Sequence, residues 1–124
     1  MLSYIKGVDK VMNNLNKEIA RIKNVTMEGL IEATILIEND MDRTPPLVPI
    51  DTGNLRSSFF RDPRVVNGSP VIRFGFGASY AWWVHENVGA TFKRPGAGAK
   101  FLEAALKRNE AEILNIIAEF ANTK

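Results

Sequence analysis

The chain predicts an α+β fold: a small antiparallel sheet packed against a long, kinked N-terminal helix and a C-terminal helix. Two periodicities and a turn carry that expectation. Apolar residues recur at helical spacing towards both ends, whereas residues 71–76 alternate with the two-residue period of a half-buried strand. Asn67-Gly68-Ser69 then offers a hairpin connection to the apolar run before it. Helices and strands segregated along the chain in this way favour α+β over an alternating α/β arrangement. A length of 124 residues suits one domain, 1–124, with a single core.

At the N-terminal end, Ile5, Val8, Met12, Leu15, Ile19 and Ile22 alternate in steps of three and four, so they share one stripe of a helix. The stripe lasts under three heptads, too short for a sustained coiled-coil seam, and its expected place is against the sheet. A rotated stripe restarts at Met27, Leu30, Ile31, Thr34, Ile37 and Met41, which predicts a bend or break over residues 23–26. Asn24 or Thr26 is suited to cap the second segment, and Gly29 weakens its first turns by about 1 kcal/mol relative to Ala.

Pro45-Pro46 ends the helix, because proline disfavours helical geometry in the preceding residue and lacks an N–H of its own. Residues 44–49 are therefore expected to be extended. Asp51 is placed to cap a short helix over residues 52–58, with Leu55 and Phe59 on one face.

In the centre, Ile72, Phe74 and Phe76 alternate with Val71, Arg73 and Gly75. Residues 59–66 form the expected partner strand, with Pro63 either confining it to an edge or splitting it into two pieces. A third strand stays open. So does residues 80–87, where Trp82 and Trp83 face opposite ways on a strand but sit about 100° apart on a helix; one ring is assigned to the core and one to an interface. Residues 88–99 combine glycines, Pro95 and the basic pair Lys93-Arg94 without periodicity, as expected of a mobile loop. A single C-terminal helix follows, with Phe101, Leu102, Ala105, Leu106, Ile113, Ile116, Ile117 and Phe120 on its apolar side and a Glu103–Lys107 pair one turn apart.

Composition narrows the function classes. The absence of cysteine removes disulfides and thiolate metal sites, in keeping with a reducing cytosol. No apolar run reaches the length of a membrane span, and the first residues lack the pattern of a signal peptide, so neither membrane nor secreted placement is expected. A net charge of +2 comes from a slight cation excess over many acids and does not by itself argue for nucleic acid.

Candidate chemistry is thin. His85-Glu86 lacks the second histidine that a zinc protease needs one helical turn on, and no G-x-S-x-G elbow presents a serine nucleophile. His85 is therefore expected to be a hydrogen-bonded structural residue, and Glu86 a salt-bridge or interface residue. Gly96-Ala97-Gly98-Ala99-Lys100 superficially suggests a phosphate cradle, but its spacing fails and Phe101 stands where Ser or Thr would meet magnesium. Flexible passage into the last helix is the simpler reading. No catalytic residue, cofactor or metal is expected. Phe92, Lys93, Arg94 and Lys100 could touch a nucleic-acid backbone or a neighbouring subunit, and Trp82 and Trp83 complete the candidate interface set.

Three blocks in fixed order carry a further signal. They are Pro49-Ile50-Asp51-Thr52-Gly53 with Leu55-Arg56 and Ser58; Tyr80-Ala81 followed by His85-Glu86; and Gly98 with Lys100-Phe101-Leu102 ahead of Ala105-Leu106. In these blocks the chain resembles the bacteriophage tail-completion or head-tail joining proteins, also labelled minor capsid or tail-component proteins. The likeness spans roughly the middle half of the chain, and the first block is the most specific. The doubled tryptophan, the stretched Gly/Ala loop and Ala90 after Gly89, where the family often has threonine, depart from the pattern.

The resemblance implies a structural virion subunit without enzymatic activity, assembled in the host cytoplasm into a homo-oligomeric, hexameric ring at the head-proximal end of a tail. Its implied partners are the connector or head-completion proteins on one side and the tail tube or tail terminator on the other, with a DNA passage and non-specific DNA contact. Asp51, Thr52, Gly53, Leu55, Arg56, Tyr80, His85 and Glu86 are the implied structural motif, and an Arg56–Glu86 pair is expected from the association of the first two blocks. A tail terminator or another neck protein is the alternative; a small nucleic-acid-binding module and a small hydrolase come after it.

Overall fold

The computed structural model describes residues 2–3, 9–49, 54–78, 80–89 and 95–122. In chain order the elements are β1 (Leu2–Ser3), α1 (Asp9–Ile19), α2 (Met27–Arg43), α3 (Asn54–Ser57), β2 (Phe59–Val66), β3 (Ser69–Phe76), α4 (Ala81–Glu86), α5 (Phe101–Arg108) and α6 (Glu110–Asn122). This is an α+β fold with helices towards both ends of the chain.

The predicted hairpin is present. β2 and β3 pair antiparallel from Phe59↔Phe76 to Val66↔Ser69, joined by Asn67-Gly68 with φ of 51° and 79°. Positive φ at both central residues twists the turn in the sense of the strands, which is why Asn-Gly serves here. Pro63 sits on β2, an edge strand in the order β1-β3-β2, where a missing N–H costs no ladder bond. The question of a third strand is answered by β1, whose two residues pair parallel to β3 at Ile72 and Arg73, so the sheet is mixed and not purely antiparallel.

One face of the hairpin carries Ile72, Phe74 and Phe76, all buried. Opposite Phe74 on the same face stands Arg61. Its guanidinium donates to the Thr34 hydroxyl at 2.9 Å and pairs with the Glu38 carboxylate, both on α2, while the Thr34 hydroxyl donates to the Ile31 carbonyl at 2.7 Å. An inward cation is thus matched by a carboxylate and a hydroxyl on the helix that covers it.

That covering helix is α2, and here the expected packing changes. The stripe of α1 lies against α5, α6 and β1, while α2 lies against β2, β3, α5 and α6. A hairpin with strands about 4.8 Å apart is narrow beside a helix about 10 Å across. One helix of 17 residues covers it, and α1 lies to the side, on α5, α6 and the edge strand β1. Val11, Met12, Leu15 and Ile19 of α1 are buried there; Ile5 and Val8 lie outside the described residues. The expected break is complete. α1 and α2 are separate helices, Asn24 between them adopts φ 62°, and Thr26 caps α2 by accepting from the Gly29 N–H at 3.1 Å.

The expected single C-terminal helix is two. Asn109 leaves helical geometry at φ −109°, its side chain donates to the Ala105 carbonyl at 2.8 Å, and its own carbonyl accepts from Ile113. Asparagine competes with the helix ladder through such local bonds. The short helix also differs from its expected span: α3 ends at Ser57, Ser58 turns back onto the Leu55 carbonyl, and Phe59 already belongs to β2. The Asp51 cap falls outside the described residues.

Gly29 has a different role from the weakness its propensity suggests. A Cβ on it would stand 3.0 Å from the Phe120 Cβ and 3.4 Å from the Ile117 Cα, so the missing side chain lets α2 and α6 approach closely. Overpacking at such a crossing outweighs the better helix propensity of a larger residue. Gly29→Leu is expected to destabilise the fold by about 1–3 kcal/mol despite a propensity gain of about 1 kcal/mol. Urea denaturation measures it; an unchanged or raised midpoint contradicts the close-approach role.

Candidate interaction site

α4 is one and a half turns long, and its inward positions are Ala81, Val84 and His85, all buried. These three at i, i+3 and i+4 fill the core-facing stripe. Trp82 and Trp83 are consequently turned outward together, 47% and 63% exposed, and the expected division of one ring to the core and one to an interface is corrected. Tyr80 before the helix and Val88 after it are exposed as well.

His85 holds α4 in place. Its imidazole is 1% exposed and meets three groups. The Glu103 N–H donates to Nε2 at 3.2 Å, Nδ1 lies 2.6 Å from a Glu86 carboxylate oxygen, and the ring packs edge-on against Phe101 at 5.0 Å between centroids. Because Nε2 accepts, it carries the lone pair; Nδ1 carries the proton and donates to Glu86. Glu103 is the third residue of α5, whose first turn has N–H groups without partners in the helix. Lys100, at the cap position, makes no side-chain cap bond, so the imidazole supplies the acceptor from another element.

The same Lys100 reaches back. Its Nζ pairs with the second carboxylate oxygen of Glu86, and its backbone N–H donates to the His85 carbonyl at 2.7 Å. Glu86 is thereby shared between His85 and Lys100. The expected pairing of Arg56 with Glu86 is corrected: Arg56 binds Asp42 at 3.0 Å. That pair borders a cleft of about 450 Å³ lined also by Met41, Val48, Phe59 and Phe76.

The electrostatics follow from burial and pairing. Burial holds the His85 imidazole below its ordinary value, partly opposed by the Glu86 carboxylate. The Lys100 ammonium holds Glu86 below the usual carboxylate value, and Glu86 in return raises Lys100. For His85 the unfolded chain takes the proton first, so its contribution to stability is complete above about pH 6.5 and is lost as the pH falls through the lowered folded value. Protonation also removes the acceptor that Nε2 offers to Glu103. Glu86 loses its contribution in stronger acid, below about pH 4.5, and Lys100 in base above about pH 10.5.

The glycine-rich loop is corrected too. Its described part, residues 95–99, docks on the extended segment after the prolines: Leu47 donates to the Gly96 carbonyl at 2.8 Å and Gly98 donates to the Leu47 carbonyl at 3.2 Å. Gly96 has φ 85° with its would-be Cβ 3.2 Å from Leu47, and that of Gly98 is 3.2 Å from Pro46. These glycines permit contact between two chain segments.

The structure brings Tyr80, Trp82, Trp83, His85, Glu86 and Lys100 together around α4. It places Arg56 beside the separate Asp42 cleft and Leu55 in the hydrophobic core, and Asp51, Thr52, Gly53, Phe92, Lys93 and Arg94 lie outside the described residues. Among the described residues no group of three His, Cys, Asp or Glu is placed to hold a metal, and no helix is long and apolar enough to cross a membrane. Neither a protein-family model, nor a curated protein, nor a solved structure matches the chain.

Two substitutions test the cluster. His85→Leu leaves the Glu103 N–H without an acceptor and is expected to cost about 1–3 kcal/mol at pH 7.5. The wild-type melting midpoint is expected to fall between pH 7 and pH 5, and the variant's to fall less; equal slopes would contradict the role of this sole histidine. Lys100 occupies φ 61°, a region that costs a side-chain-bearing residue about 1 kcal/mol. Lys100→Met loses the pair and keeps the strain, whereas Lys100→Gly loses both. The glycine variant is expected to be more stable than the methionine variant by about 1 kcal/mol in thermal denaturation.

Proposed function

We propose that this chain is a structural subunit of a phage neck, forming a ring at the head-proximal end of the tail that completes the tail and joins it to the head connector around a DNA passage. One observation carries the reading. Two of the three sequence blocks that resemble the joining family, those around His85-Glu86 and Lys100-Phe101-Leu102, meet in space through an ion pair, a backbone hydrogen bond and a ring contact. Their joint product is a short helix fixed from behind and carrying two outward tryptophans. Tryptophan is enriched at binding hot spots because it offers much apolar area at little cost in side-chain freedom. A surface of this kind suits assembly more than bond-making chemistry.

In this role the subunit meets copies of itself around the ring, the connector on the head side, and the tail tube or terminator on the other. Its place is the virion neck, reached by assembly in the host cytoplasm. Electron microscopy of particles made without the protein tests the proposal. Filled heads and tails of normal length, both complete and unjoined, are the expected result. Joined particles would overturn the reading, and tails of unregulated length would move the protein to the terminator role.

A further inference from the structure

The tryptophan pair faces solvent at one end of the hairpin, and an apolar groove opens at the other. The groove, about 620 Å³, lies between the α1–α2 connection and the hairpin tip, lined by Ile19, Ile22, Val25, Val66, Pro70 and Val71 among others. β3 runs from this groove to Phe76, and Phe76 leads through Phe101 to His85 of α4 by ring contacts at 5.5 Å and 5.0 Å. From Pro70 to Phe76 the strand covers roughly 20 Å. Projection and recess thus stand at opposite ends of one rigid hairpin.

We infer that Trp82 and Trp83 of one copy seat in the hairpin-tip groove of the next. This inference rests on the assembly role proposed above and names the surfaces that perform it. The area fits a second copy. At about 250 Å² for a whole indole side chain, the exposed fractions of 47% and 63% leave roughly 270 Å² of aromatic surface to cover. That is a third of the roughly 800 Å² per partner of a standard stable interface. Tyr80 and Val88, near the pair in the chain and also exposed, add to that surface. The groove lies within the size range that encloses compact apolar groups. Asn24, Asn67 and Ser69 also line it and offer neutral polar groups that can meet an indole N–H.

Because projection and recess are different surfaces, the contact is heterologous. Each pair then keeps one free projection and one free groove for further neighbours, and repetition closes into a ring or continues as a filament according to the rotation between copies.

Sedimentation velocity of the full chain over a range of concentrations tests this with two variants. Trp82→Ser/Trp83→Ser removes the projection, and Val66→Asp places a charge in the groove at a residue 48% exposed. Far-UV circular dichroism and melting establish that both remain folded. Wild type is expected to self-associate, and each variant to weaken association by at least about 30-fold, the mark of a hot spot. An equimolar mixture of the two is expected to form 1:1 dimers and stop there, since each pair retains one intact projection and one intact groove. Monomers in the mixture, or a Val66→Asp chain that associates like wild type, would overturn the inference and leave the assembly role standing. A wild type that stays monomeric throughout would overturn both.

Discussion

The orientation of everything around the candidate site depends on one imidazole. His85 joins α4 to α5 by accepting from the Glu103 N–H, donates to Glu86, which in turn pairs with Lys100, and seats against Phe101. Phe101 in turn meets Phe76, and Phe76 meets Phe59, so the contact extends through aromatic edges into the hairpin. Neutral histidine is the side chain that offers one donor and one acceptor on a flat ring small enough for such a position. A helix as short as α4 has little stability of its own. Its direction comes from this junction, and the direction of Trp82 and Trp83 comes with it.

The fold was legible in sequence where local rules and tertiary packing agree. The Asn67-Gly68 turn, the edge position of β2 and the Thr26 cap follow from backbone preferences of one or two residues, and nothing distant opposes them. The C-terminal break had a signal as well. Continuing Leu102 and Leu106 by one more turn lands on Asn109, a polar residue on the apolar stripe. The eight apolar residues around it masked that interruption. The place of α1 beside the hairpin had no local signal, because it depends on how wide the hairpin is and on α2 already covering it.

Site residues divide in the same way. A structural, hydrogen-bonded His85 followed from the absence of any second histidine, whereas its partners did not, since Glu103 takes part through its backbone. The partner of Glu86 was missed because Lys100 was grouped with the loop cations. An α5 start whose cap position holds lysine, with no Ser, Thr, Asp or Asn, leaves the helix in need of an acceptor from elsewhere, and that was the available clue. The outward turn of both tryptophans was also recoverable: once Ala81, Val84 and His85 are taken as the inward stripe, no space remains there for an indole.

Arg61 has a consequence for how the strands find each other. It points inward between Phe59 and Pro63 and is held by Thr34 and Glu38. Sliding β2 by a single residue, so that Asp62 takes the place of Arg61, would set carboxylate against carboxylate at Glu38. Misalignment is therefore penalised electrically, even though Phe60 would take the place of Phe59 on the inner face. The cation under the sheet acts as a proofreading mark for strand alignment, so that the ends of the hairpin keep a constant separation from one molecule to the next.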